Sequence, residues 1–177
     1  MGCTQTSAGT PLPDATETTS NTVEPTDSTT STEPSSERPR EIDLEGNDPC
    51  QQIPQADWPR LGIGRPGERS EEPTFQSPNC YYSSVGEVTL VITDGVVAWT
   101  EKASNVDVSD ADPIADFPTI TVWNEADQRS CYTAVDIADG QHLLTTATSV
   151  NANVDRAETC DRSYQLANSA MKTLVAS

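Results

Sequence analysis

The side chains in this sequence that could do chemistry are its sulfurs, one imidazole, an acidic cluster and a few large aromatics. Of the five cysteines, Cys3 stands alone near the N-terminus, while Cys50, Cys80, Cys131 and Cys160 are spread through the rest. None of the latter forms a C-x-x-C pair, so a thioredoxin-like motif and the common zinc spacings are absent. An even set of well-separated cysteines points instead to disulfides and an oxidising compartment. The rival reading is a set of buried free thiols in a cytosolic protein. Three pairings are open. We expect Cys50–Cys80 and Cys131–Cys160, because each then joins a helix start to a strand start. Each bridge would close a loop of about 30 residues, stabilising by roughly 3–4 kcal/mol through loop-closure entropy.

Nucleophilic catalysis needs a base beside Ser, Cys or Thr. His142 is the one histidine, it follows a turn, and no Gly-x-Ser-x-Gly elbow surrounds any serine. It reads as an exposed turn residue, and no catalytic residue is assigned. Asp107, Asp110 and Asp112 offer oxygen ligands of the kind Ca²⁺ prefers. The EF-hand order and its distant Glu are missing, so this is read as a solvated acidic loop, with no metal and no cofactor assigned. Gly62 and Gly64 precede Arg65 and Pro66, and a proline there does not open a helix whose amides could cradle phosphate. Trp58, Tyr81, Tyr82, Trp99 and Trp123 each join a flat apolar body to a hydrogen-bonding tip, as ligand-binding side chains do. Trp58, Tyr82, Trp99 and Trp123 are therefore the candidates for a ligand groove beside a sheet, weighed against ordinary core packing.

The elements that must position these groups centre on Cys131 to Ser177. Cys131–Ala138 reads as a strand, Asp139-Gly140 as a tight hairpin turn, and Leu143 to Val150 as the returning strand. A closing helix then carries Cys160, Tyr164, Ala167, Met171 and Leu174 at spacings of four and three, hence on one face. Upstream, Asp48 is a good N-cap and Pro49 suits the first helical position, so a short helix starts there. Leu61 to Gly64 stops the helical region. A Gly/Glu/Pro-rich loop follows from Arg65 to Asn79. Strands are expected at Cys80–Ser84, at Val88–Thr93 and at Phe117–Trp123. Val88, Leu90 and Ile92 would share one face, with Thr89, Val91 and Thr93 on the other. Val96, Val97 and Trp99 fit either a strand or a helical turn, and Asn105 to Asp116 reads as an acidic connector. The expected fold is α+β: a mostly antiparallel sheet of about five strands, with N- and C-terminal helices packed on one face.

Residues 47–177 thus form a disulfide-stapled domain of about 130 residues, a usual single-domain size. Residues 1–46 differ. From Thr4 to Gly46 the chain is mostly Thr, Ser, Pro and Glu, too poor in apolar side chains to offset the entropy of ordering. This is a disordered tether, suited to carry O-linked sugars. The net charge of −18, with Lys and Arg scattered, excludes a nucleic-acid partner and charge-driven binding to anionic lipid. No run of about 20 apolar residues occurs to span a bilayer. Gly2-Cys3 matches the end of a bacterial lipobox, without the hydrophobic segment expected before it, as if a signal were trimmed or the start misplaced. Met1 to Thr6 also fits a myristoylation pattern with Cys3 as a palmitoylation site, but that anchor would face a reducing cytosol.

Taken together, the lipobox cysteine, the Thr/Ser-rich stalk, Asp48-Pro49-Cys50, a cysteine heading the first strand (Cys80), one heading a late strand (Cys131) and one opening the final helix (Cys160) resemble actinobacterial envelope lipoproteins of the LprB/LprC type. The resemblance covers nearly the whole chain. Tyr82 stands where that family often has Trp, and Trp123 to Ala126 replace its usual Gly-Arg-x-Ala turn. The resemblance implies an extracytoplasmic protein held to the outer face of the cell membrane by lipid on Cys3, with a domain of unknown function and no catalytic residue to carry over. The expected function is non-enzymatic: an acyl-anchored domain binding a partner or a small apolar ligand, the candidates being an envelope protein or a lipid or glycan. The alternatives are an envelope hydrolase of unrecognised type, with His142 beside a serine and an acid, and a calcium-stabilised structural domain.

Overall fold

Runs of β-branched and aromatic residues build the inner strands of the computed structural model, which describes residues 38–93, 95–150 and 155–177. The strands are β1 (Glu68–Glu72), β2 (Ser77–Tyr82), β3 (Gly86–Val91), β4 (Val106–Asp110), β5 (Thr119–Asn124), β6 (Ser130–Ala138) and β7 (Gln141–Thr148). The helices are α1 (Trp58–Leu61), α2 (Gly95–Lys102) and α3 (Arg156–Leu174), and 3-10 turns at Pro49–Gln51 and Gln55–Asp57 precede them. Among the described residues the strands form one seven-stranded sheet in the order β1-β2-β3-β7-β6-β5-β4, antiparallel at every pairing. The class is α+β, with seven strands where about five were expected. The two extra strands are the edges. β1 lies inside the presumed Arg65–Asn79 loop and β4 inside the acidic connector, and nearly every residue of both is exposed. Charge suits that position, because charged side chains protect an edge strand from pairing with another chain.

Side chains of β3 alternate between two packed faces. Val88 and Leu90 join Cys80, Tyr82, Val135, Ile137 and Leu143 beneath Leu166, Ala167, Ala170, Met171 and Leu174 of α3. Ile92 lies past the end of β3 and is 37% exposed, outside that face. On the opposite face, Val91, Ala134 and Leu144 pack with Phe75 and with Val96 of α2. The helices therefore do not all share one face of the sheet. After β3, next to the central strand β7, the chain must reach β4 at the far edge, and it crosses as α2 over the face that α3 leaves uncovered. The stretch holding Val96, Val97 and Trp99 is accordingly helical.

α3 starts as a capped helix should: Asp155 accepts a hydrogen bond from the Glu158 amide at 3.0 Å, satisfying one of the amides left free at a helix start. Arg156 then ties this end to the β4–β5 edge. It pairs with Asp107, reaches Glu125 at 3.5 Å, and lies 5.5 Å from the centre of the Trp123 ring. Deeper in α3, Ser163 donates to the Thr145 carbonyl at 3.0 Å, so two buried polar groups on facing elements satisfy each other.

Two bridges fasten the periphery, Cys50–Cys80 with an S–S length of 2.03 Å and Cys131–Cys160 with 2.01 Å. The first holds the 3-10 turn at Pro49 to β2, and Gly67 is pressed onto it: a Cβ at this position would stand 2.3 Å from Cys80 Sγ. Residues 38–46, assigned by composition to the tether, are docked. Ile42 and Leu44 are buried, the Leu44 amide donates to Gln141 Oε1 at 2.7 Å, and Arg38 pairs with Asp136 and Asp139 across the β6–β7 turn. The remainder of the tether, including Cys3, lies outside the described residues.

Candidate functional site

On the sheet face that carries α2, the cross-strand row Glu87–Thr146–Tyr132 is fixed by antiparallel register: Glu87 opposite Thr146, and Thr146 opposite Tyr132. Period-two alternation sends all three side chains to the same side. α2 stands over one end of this row and brings Trp99 down against Phe75 and Tyr132. The Trp99 ring meets Phe75 at 6.0 Å between centroids and 88°, and Tyr132 at 5.2 Å and 69°. Edge-to-face contacts of this kind are the favoured aromatic geometry. They also set ring planes at steep angles, so the rings form walls and not a flat platform.

These elements enclose a cavity of about 340 Å³, lined on its apolar side by Phe75, Trp99, Tyr132 and Leu144. Its size is at the small end of ligand pockets. Its polar side carries Glu72, Glu87, Asn105, Asn124, Thr146 and Thr148, so every charged lining residue is a carboxylate. Glu72 accepts from the Phe75 amide at 2.8 Å, which fixes both the turn and the carboxylate. Asn79 donates to Glu87 Oε2 at 3.4 Å. Ser130, a buried lining residue, donates to Asp127 at 2.8 Å and lies 3.1 Å from the Thr148 hydroxyl.

Burial raises the Glu87 carboxyl above its ordinary range, the Asn79 hydrogen bond opposes this, and the Glu72 charge adds to it. Tyr132 is also raised, first by burial, with the Asn124 hydrogen bond opposing and the charges of Asp127, Glu87 and Glu72 adding. A carboxyl partly desolvated beside another carboxylate resists ionisation, and a positive charge placed beside it would favour the ionised form. Among the described residues no group of three or more His, Cys, Asp or Glu converges as metal ligands would.

The four aromatics singled out from sequence do not meet in one groove. Trp99 lines the cavity. Trp58 and Tyr82 belong to the core beneath α3, where the Trp58 indole donates to the Ile53 carbonyl at 3.3 Å and the Tyr82 hydroxyl to the Cys50 carbonyl at 3.2 Å. Burial raises the Tyr82 hydroxyl to about 12. Trp123 is 6% exposed and faces Arg156. Asp107 and Asp110, an odd number apart on β4, point to opposite faces, while the Asp112 carbonyl accepts from the Tyr164 hydroxyl at 3.2 Å. His142 is buried at 8%, with Val91 and Asp136 as cross-strand neighbours, and lies outside the cavity lining.

Sequence reasoning missed Glu72, Phe75, Glu87 and Tyr132. A signal existed for Glu87 and Tyr132, since each is a polar-tipped residue placed by strand alternation on the face opposite the α3 core. Glu72 and Phe75 gave none, because their place depends on the edge hairpin that was read as a loop.

A small disulfide-stapled α+β domain with a carboxylate- and aromatic-lined pocket on one sheet face is the class of protein these features define. The chain belongs to the family described as protein of unknown function (DUF3558), whose model matches residues 1–173. No curated protein and no solved structure matches it. No helix among the described residues is long and apolar enough to cross a membrane.

Proposed function

We propose that this protein is a non-enzymatic, ligand-binding lipoprotein of the actinobacterial envelope type, held at the outer face of the cell membrane by acylation of Cys3. Its folded domain takes a small molecule into the cavity under α2. The observation that carries the binding reading is that cavity, walled by Trp99, Tyr132 and Phe75 with carboxylates opposite. Small-molecule sites join apolar walls to placed polar groups, and here the aromatic rings and Leu144 face a larger set of polar residues. The paired cysteines support an oxidising compartment, and the Gly2-Cys3 pair and Thr/Ser-rich tether support the anchor. Expression from the natural gene, with any coding sequence upstream of Met1 retained, in an actinobacterial host followed by fractionation tests location. The expected product is membrane-bound, with lipid mass on Cys3 and no alkylatable thiol in the domain. A cytosolic product with reduced domain cysteines would refute the assignment. Ligand binding is read separately, from the emission of Trp99 in a Trp58→Phe/Trp123→Phe background. A ligand seated under α2 shifts this emission, and one bound elsewhere does not.

A further inference from the structure

The Glu72–Glu87 cavity has a composition that selects the charge of its occupant. We propose that it binds an organic ammonium ion, with the cationic head between Glu72 and Glu87 and its alkyl surface against Trp99 and Tyr132. This rests on the reading of the cavity as the ligand site and adds the chemical class of the ligand.

Every charged lining residue is an acid, so an anion would be repelled. A divalent metal ion is less well served, because among the described residues no group of three or more His, Cys, Asp or Glu is placed to hold one. An alkylammonium ion fits both walls at once, because its charge pairs with carboxylate while its methyl or methylene groups lie on ring faces that attract cations. Trp99 and Tyr132 meet at 69°, so a compact head can touch two rings, whereas a sugar stacks on one open, flat ring. A cation also cancels the repulsion between Glu72 and Glu87 that an empty cavity leaves standing. The titratable and polar groups facing Glu87 are Glu72 from the β1 edge, Asn79 from β2 and Tyr132 from β6. None of them is cationic.

The probe is choline, whose charge is independent of pH, against its neutral isostere 3,3-dimethylbutanol, with N-acetylglucosamine as a neutral glycan probe. Full-length protein is titrated by calorimetry and by Trp99 emission in the Trp58→Phe/Trp123→Phe background. The expected result is saturable choline binding about tenfold or more tighter than the isostere, given the strength of desolvated cation–π and ion-pair contacts. Choline affinity should fall as the pH is lowered through the titration of Glu87, and isostere affinity should stay level. Glu87→Gln and Glu72→Gln, which keep side-chain shape and remove like-charge repulsion, should each weaken choline severalfold with circular dichroism unchanged. Equal binding of choline and isostere, or binding of the sugar alone, overturns the cation assignment and leaves the site standing. Silence of Trp99 toward all three probes in folded protein overturns both. The wild-type pH profile decides the matter even where a variant fails to fold.

Discussion

The indole of Trp99, carried on α2, meets the ring of Tyr132 on β6 at 5.2 Å and 69°, and this contact joins the crossing helix to the sheet at the cavity wall. α2 is eight residues long, too short to be stable by itself, so its position depends on what it packs against. Val96 and Trp99 are its contributions to the second core. Trp99→Ala should lower stability by about 1–3 kcal/mol, less than the cost for a fully buried tryptophan. A double-mutant cycle with Tyr132→Ala should return a coupling of roughly 0.5–1.5 kcal/mol, the usual worth of an aromatic pair. Strict additivity in urea melts would mean that the Trp99–Tyr132 contact adds nothing of its own, leaving Val96 and the Trp99–Phe75 contact to hold α2.

Asp57 links the helical N-terminal segment to α3. It accepts from Ser169 Oγ at 2.6 Å and from Lys172 Nζ at 2.8 Å. The Lys172 hydrogen bond, then that of Ser169, hold its carboxyl down at about 2, with Arg60 adding charge. Because its pKa is lower folded than unfolded, Asp57 adds stability above about pH 4 that is lost as pH falls toward 2. Asp57→Asn should cost about 1 kcal/mol at neutral pH, a hydrogen-bonded ion pair discounted for a half-exposed partner. Urea melts between pH 6 and pH 2 check it. The gap between wild type and variant should close as the pH drops, and a gap independent of pH would show that Asp57 acts by shape alone.

Much of this fold was legible because the inner strands carry strong local signals. Asp139-Gly140 sits between β-branched runs, and Gly140 adopts φ 72°, as the tight turn requires. The spacing of Ala167, Met171 and Leu174 marks α3, whose start at Arg156 lies one turn before the Cys160 opening expected. β1 and β4 stayed hidden because a strand bordered by solvent needs no apolar alternation, and Glu68 to Glu72 has none. Residues 38–46 were hidden for the converse reason. Ile42 and Leu44 are too few to register in a segment dominated by polar residues, yet a docking strip needs only two side chains and a partner such as Gln141. The cavity was half legible. Trp99 stood out by type, but Glu72 and Glu87 are ordinary acids among many until the sheet sets them before the same aromatic wall.

The bridge from Cys131 to Cys160 joins β6 to the first turns of α3, on the face away from the cavity. Replacing both residues by alanine should lower stability by about 2–4 kcal/mol and the melting temperature by roughly 10 °C, the loss expected for a loop of this length in a domain of this size. Cys50–Cys80 encloses a separate stretch of sequence, so the two loops constrain different parts of the unfolded chain. Removing both bridges should therefore cost close to the sum of the single losses. The emission of Trp99 in the folded single-bridge variant should remain that of the parent, because its contacts come from Phe75 and Tyr132 on the other side of the sheet. Thermal melts with and without reductant measure the first effect, and emission spectra below the transition measure the second. A melting temperature indifferent to the loss of Cys131–Cys160 would mean that Asp155, Arg156 and the Ser163–Thr145 contact already fix α3, leaving the bridge without energetic consequence.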